Sequence, residues 1–146
     1  MKTRVLILCT GNSARSQMAE GLLRHMAGDR LEVHSAGTRP GSVRPEAIAA
    51  LAELGIDIRG HWSKHVDTFA GQPFDYVITV CDHAKESCPV FGVRTQRIHW
   101  SFEDPAAATG DEAHRLAEFR RIRDQIAQRL SEFVEGLKGA SRGGST

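Results

Sequence analysis

The chain has 146 residues, with 19 Lys and Arg against 18 Asp and Glu for a net charge of +1, and 40% hydrophobic residues. That length suits one compact domain and excludes a second, and the near-balance of charge argues against bulk electrostatic binding to nucleic acid or to an anionic membrane. Any anion it binds must therefore be held locally. No apolar run approaches the roughly 18 residues of a membrane helix, and Val5-Leu6-Ile7-Leu8 is too short for the core of a signal peptide, so a cytoplasmic protein is expected. Three cysteines are too few to staple a fold of this length; in a reducing compartment thiols are more often catalytic, redox-active or metal-binding.

Strands and helices alternate along the chain without an internal repeat, which is an α/β pattern. The first predicted strand is Arg4 to Leu8, an unbroken apolar run of the kind buried on both faces of a parallel sheet. A helix follows from Ser16 to about Ala27, with Met18, Leu22, Leu23 and Met26 at helical spacing and Gly28 at its end. Strand two is Leu31 to Ser35. Pro45 to Leu54 repeats Ile48, Leu51 and Leu54 at spacing three and stops at Gly55, a second helix. Beyond the irregular stretch Ile56 to Pro73 come a strand from Asp75 to Val80, a short helical segment from Asp82 to Ser87 stopped by Pro89, and a strand from Thr95 to Trp100. The last helix spans about Asp111 to Leu137, with Leu116, Phe119, Ile122, Ile126, Leu130, Phe133 and Leu137 on one stripe. The expected organisation is one domain over residues 1–137, a four-stranded parallel sheet with helices on both faces, and a flexible Gly/Ser-rich tail over 138–146. Such sheets place ligands beyond the carboxyl ends of their strands, where Cys9 and Cys81 both fall.

Between the first strand and the first helix stands Cys9-Thr10-Gly11-Asn12-Ser13-Ala14-Arg15-Ser16, a cysteine and an arginine with five residues between them. A loop wrapping from strand end to helix start can turn successive backbone N–H groups inward, and the positive end of the helix adds to the field. Thr10 to Ser16 thus form a socket for a tetrahedral oxyanion. Gly11 and Asn12 tolerate a left-handed backbone, and Arg15 offers two parallel donors. So many donors are expected to depress the pKa of Cys9 and make it a nucleophilic thiolate, with Ser16 or Ser13 donating a hydrogen bond to the sulfur. The bland alternative is a buried strand-end cysteine and a solvated arginine.

At these residues the sequence resembles the low-molecular-weight protein tyrosine phosphatase superfamily, whose phosphate loop is this Cys, five residues, then Arg-Ser or Arg-Thr. The resemblance extends to Gln17-Met18-Ala19-Glu20-Gly21, Ser35-Ala36-Gly37 and Asp104-Pro105, and so spans most of the chain. It implies nucleophile Cys9, anion-binding Arg15 and general acid Asp104, which would protonate the departing oxygen. On its own, Asp104-Pro105 is equally a common turn.

Cys81 and Cys88 lie seven positions apart, nearly two helical turns, or roughly 10 Å along a helix axis. A disulfide wants Cα atoms about 5.5 Å apart, so joining them requires the segment to unwind. With Cys9 they suggest a relay in which Cys9 attacks an oxidised substrate, Cys81 attacks the adduct, and Cys88 resolves the Cys9–Cys81 disulfide by thiol exchange. Here the sequence looks like the thioredoxin-coupled arsenate reductases, which share the phosphatase scaffold and carry this additional pair. The resemblance implies arsenate as substrate, arsenite as product, and thioredoxin as the electron source, although a glutaredoxin system with a small thiol satisfies the same chemistry. Buried inert cysteines, or a zinc site from Cys81, Cys88, His83 and His99, are the competing readings of the pair.

The sequence also departs from these families. Related phosphatases follow Asp-Pro with aromatic residues, whereas Ala106, Ala107 and Ala108 stand here, which weakens an aryl-phosphate reading. Some reductases carry a cysteine where Ala14 stands. Certain members bind potassium through residues matching Asn12, Glu20, Ser35 and an aspartate; Lys64 falls at that aspartate, so its ammonium is expected to replace the ion and pair with Glu20, unless it is simply a surface lysine. No metal or bound cofactor is expected, none of the seven histidines is assigned a role, and the chain is expected to act as a monomer. The alternatives to an arsenate reductase are a low-molecular-weight phosphatase hydrolysing phosphate monoesters and a non-catalytic, redox-switched anion sensor.

Overall fold

The structure is a computed structural model that describes residues 2–81 and 94–144. Four parallel strands, β1 (Thr3–Cys9), β2 (Leu31–Gly37), β3 (Tyr76–Thr79) and β4 (Gln96–His99), form one sheet in the order β2-β1-β3-β4. The helices are α1 (Arg15–Ala27), α2 (Pro45–Ala52) and α3 (Glu112–Gly144), with 3-10 turns at Val66–Phe69 and Pro105–Ala107. The expected α/β architecture with a single four-stranded parallel sheet is the one observed, within a residue or two at most boundaries.

Strand alternation fixes which element covers which face. Ile7 is in register with Ser35 and Ile78, and Val5 with Val33 and Tyr76, so these side chains share a face. Ser35 meets Glu20 of α1 and the Tyr76 ring meets Phe133 of α3, which lays α1 and α3 side by side on that face. The opposite face carries His34, whose ring stacks on Phe69 of the 3-10 turn and meets Phe74 edge-on. Covered on both sides, Val5, Leu6, Ile7 and Leu8 are fully buried. The segment Asp82 to Ser87, read as a short helix, lies outside the described residues.

Helix α2 closes the α1 and α3 layer. At Gly21 a Cβ would stand 2.6 Å from Leu51 Cδ1 and 2.8 Å from Ile58 Cγ2, so a bare backbone lets α1 approach α2. Buried Arg123 of α3 donates to the Ala50 carbonyl at 2.8 Å and to Glu53 at 2.8 Å. Helix α3 continues to Gly144, past the expected end at Leu137, since extending a formed helix needs no further nucleation. Its stripe of Phe119, Ile122, Ile126 and Leu130 is fully buried, as the periodicity predicts. Phe119→Ala is expected to cost about 3–5 kcal/mol by emptying the centre of this layer, read as a lowered urea midpoint at unchanged m-value.

Candidate active site

The loop from Cys9 to Arg15 sits at the carboxyl end of β1, and its carbonyls point away from its centre. Cys9 O accepts from Thr38 N at 3.3 Å, Thr10 O from Arg39 N at 2.8 Å, Gly11 O from Gly41 N at 3.0 Å and Ser13 O from Arg44 N at 2.9 Å. Asn12 O accepts from Ser63 Oγ at 2.7 Å and Gln17 Nε2 at 3.0 Å. In a planar trans peptide the next N–H points opposite to the carbonyl, so the amides of Thr10 through Ala14 turn toward the loop's interior. Helix α1 begins at Arg15 with Ala14 at its N-cap and no capping side chain, which leaves its first-turn amides available as well. A row of inward main-chain donors of this kind could cradle an anion.

Two details of the wrap differ from expectation. Among the described residues Asn12 is the one non-glycine with positive φ, at 48°, whereas Gly11 does not adopt a left-handed backbone. Asn12 is held there from several sides: its fully buried side chain donates to Ser16 Oγ at 2.8 Å and Ser35 Oγ at 2.9 Å and accepts from Lys64 N at 2.9 Å and Gln17 Nε2 at 3.1 Å. Ser16 thus has its hydroxyl oxygen engaged by Asn12, and the hydrogen-bonding groups on Cys9 are the Cys81 thiol and the Thr10 amide, with no hydroxyl from Ser13 or Ser16.

Cys9 and Cys81 are both buried and unoxidised. Val80 N bonds Leu8 O at 2.9 Å and so carries the chain leaving β3 past the loop, bringing Cys81 Sγ to 3.2 Å from Oγ1 of Thr10, the residue after Cys9. The consequence reverses the expected shift. The hydrogen bond with Cys81 and then burial push the Cys9 thiol up, the negative charge that Cys81 would carry adds to this, and Arg15 with the Thr10 amide pulls the other way. The depressed value expected of Cys9 from its donors alone is thus not what its surroundings give, because Cys81 and burial act against Arg15 and the Thr10 amide.

Arg15 reaches from α1 across the loop. Its Nη1 donates to Phe102 O at 2.9 Å, its Nη2 lies 3.8 Å from Asp104 Oδ2, and its Nε is buried with no partner among the described residues. The Arg15 side chain is 13% exposed and that of Asp104 46%, so Asp104 stands at the mouth and the guanidinium inside it. Asp104 Oδ1 meanwhile accepts from Ala106 N at 2.9 Å, capping the Pro105–Ala107 turn. The turn and the acid-like placement therefore coexist, with Oδ2 as the oxygen left facing the site. Cys88 and His83 lie outside the described residues, and with them the zinc alternative.

Behind the cradle, the buried Glu20 accepts from Ser35 Oγ at 2.5 Å and pairs with Arg24 at 2.7 Å, with Lys64 Nζ at 3.9 Å. Lys64 is itself mostly buried, donates to Trp62 O at 2.9 Å, and is not the surface lysine of the alternative reading. Burial lowers its pKa, against which Glu20 acts. Sequence reasoning gave no role to three residues here, although Gln17 and Gly37 stand in stretches that carry the resemblance. Gly37 has no room for a side chain, since a Cβ would meet Thr10 O at 2.5 Å and Asn12 N at 2.9 Å. Gln17 and His61 form a buried link to Asn12, for which the sequence offers no signal beyond polar residues next to an apolar helix.

The chain belongs to the low molecular weight phosphotyrosine protein phosphatase family, whose model matches residues 4–142. Among its relatives, the arsenate reductase of Halalkalibacterium halodurans is 44% identical over 134 residues, covering 92% of this chain and 96% of the relative. The arsenate reductase of Bacillus subtilis is 44% identical over 131 residues, covering 90% and 94%. Among solved structures, the thioredoxin-dependent arsenate reductase of Corynebacterium glutamicum superposes with a TM-score of 0.76 at 28% identity, over 95% of this chain and 63% of that one.

Cys81→Ala removes the group that raises Cys9 most and leaves Arg15 and the Thr10 amide. The pH profile of Cys9 alkylation by iodoacetamide is expected to move to lower pH, with faster labelling at neutral pH. Gly37→Ala is expected to displace the loop and weaken protection of Cys9 by inorganic phosphate at least tenfold, measured in the same alkylation assay with the far-ultraviolet circular dichroism spectrum unchanged.

Proposed function

We propose that the protein is an arsenate reductase that works by a three-thiol relay and is regenerated by thioredoxin. One observation carries this reading beyond family membership: Cys81 is buried beside the loop, its Sγ 3.2 Å from Oγ1 of Thr10, the residue after Cys9. Hydrolysis of a phosphate ester, which uses a nucleophile, an arginine and a general acid, has no use for a second thiol, whereas a thiol relay needs one close to the first.

Arsenate, a tetrahedral oxyanion, would lie on the inward amides of Thr10 to Ala14 with the free Nε of Arg15 as a further donor. Cys9 Sγ attacks arsenic, and the arsenic–oxygen bond breaks with its electron pair leaving as hydroxide; Asp104 supplies a proton, so water departs. Cys81 Sγ then attacks Cys9 Sγ. The sulfur–arsenic pair stays on arsenic, which falls from the pentavalent to the trivalent state and leaves as arsenite, and a Cys9–Cys81 disulfide remains. Cys88 attacks Cys81, freeing Cys9 as the thiolate and leaving Cys81–Cys88 for thioredoxin to reduce. The role of Cys88 rests on its sequence position and on likeness to relatives.

Thr10 Oγ1 holds Cys81 next to the atom it must attack, so no diffusive search separates adduct formation from reduction.

Arsenite release is measured with thioredoxin, thioredoxin reductase and NADPH. Wild type is expected to turn over repeatedly, Cys9→Ser to release nothing, and Cys88→Ser to stop after about one equivalent, with mass spectrometry finding Cys9 joined to Cys81 in that variant. Undiminished multiple turnover by Cys88→Ser would sink the relay.

A further inference from the structure

Gln17 lies one residue beyond the cradle and touches no loop amide, yet every polar atom of its buried side chain is engaged. Its Nε2 faces three oxygens, Asn12 O at 3.0 Å, Asn12 Oδ1 at 3.1 Å and Trp62 O at 3.0 Å, while its Oε1 lies 3.0 Å from His61 Nδ1. Three acceptors on one side select the amide nitrogen there, and the oxygen must therefore face His61. An amide oxygen only accepts, so His61 Nδ1 has to carry a hydrogen. A reversed amide would set its oxygen against three oxygens and leave two of its hydrogens against the imidazole.

We infer that His61 and Gln17 are positioning residues for the anion cradle: the Nδ1–H of His61 anchors the Gln17 amide through its oxygen, and that amide clamps Asn12 in the left-handed turn that aims the loop's N–H groups. The inference rests on the reading of the loop as an oxyanion site and deepens it. The second ring nitrogen of His61 lies 3.7 Å from Glu20 Oε2. Glu20 is already met by Arg24 and Lys64, and the other charged group near His61 is Asp57. Burial favours the uncharged ring, in which one nitrogen bears hydrogen. Gln17 thereby selects the Nδ1–H tautomer, the reverse of the form free histidine prefers, and leaves Nε2 bare toward Glu20.

The tautomer is read directly by long-range proton–nitrogen correlation spectra of the wild-type protein labelled with nitrogen-15 at histidine. A protonated Nδ1 and bare Nε2 at His61 are expected above neutral pH, and a protonated Nε2 with bare Nδ1 would overturn the inference. Variants separate the donor from the charge. Asparagine places an N–H near the position of imidazole Nδ1 but nothing near Glu20, so His61→Asn is expected to bind inorganic phosphate within about twofold of wild type by calorimetry. His61→Ala, which frees the amide, and Gln17→Glu, which sets carboxylate oxygens against the Asn12 oxygens, are each expected to bind it about tenfold more weakly at pH 8, a loss on the scale of one or two hydrogen bonds. Unchanged affinity in His61→Ala, or equal loss in His61→Asn and His61→Ala, would refute the donor role. Wild type that binds neither phosphate nor arsenate would refute the cradle reading itself, while the tautomer measurement would still stand on its own.

Discussion

Asn12 sits at a positive φ inside a buried loop, and a β-carbon makes that conformation costly unless the surroundings hold it. Here they do: Ser16, Gln17, Ser35, Ser63 and Lys64 all bond to its side chain or carbonyl. Because that peptide is fixed, the carbonyls on either side can reach partners in the loop over 38–44, and the amides between them have one direction left. The anion site is thus a by-product of satisfying carbonyls, with Asn12 as the residue where the wrap would otherwise fail. Side-chain groups add to this frame without creating it. Arg15 contributes charge and Asp104 closes the mouth, but the donors that define a tetrahedral pocket belong to the main chain.

The two described thiols place opposing demands on one another. A nucleophile benefits from a lowered pKa, while a relay needs its partner thiol close, and closeness raises the pKa of whichever sulfur ionises second. The pair resolves this by division of labour: the field of Arg15 and the amides acts on Cys9, and the Thr10 hydroxyl meets Cys81. An oxyanion entering the loop would add negative charge next to both sulfurs and so oppose ionisation of either thiol.

Much of this was legible in the sequence. Unbroken apolar strands and the Phe119 to Leu130 stripe lead to the sheet and the long helix, and a strand-end cysteine with an arginine after five intervening residues leads to the inward-turned loop. Charge effects were read less well: the sequence places Cys9 and Cys81 at neighbouring strand ends, but not the burial and thiol neighbour that raise the pKa of Cys9. The supporting side chains were invisible for a related reason. Gln17 and His61 are 44 residues apart, and their contact depends on how the irregular stretch after α2 folds back over the loop. By contrast, Lys64 beside Glu20 was anticipated, since the resemblance supplied a position that geometry alone could not.

The bare α-carbon of Gly37 bears on attempts to move this chemistry elsewhere. The neighbouring strand comes so near the wrap that even a methyl group would collide with the oxygen of Thr10. A graft of the eight residues from Cys9 to Ser16 onto another parallel sheet would therefore be incomplete, because the recipient's adjacent strand must also end in glycine. The transferable unit is two strand termini and the gap between them, and a designer who copied only the recognisable motif would be transplanting half of it.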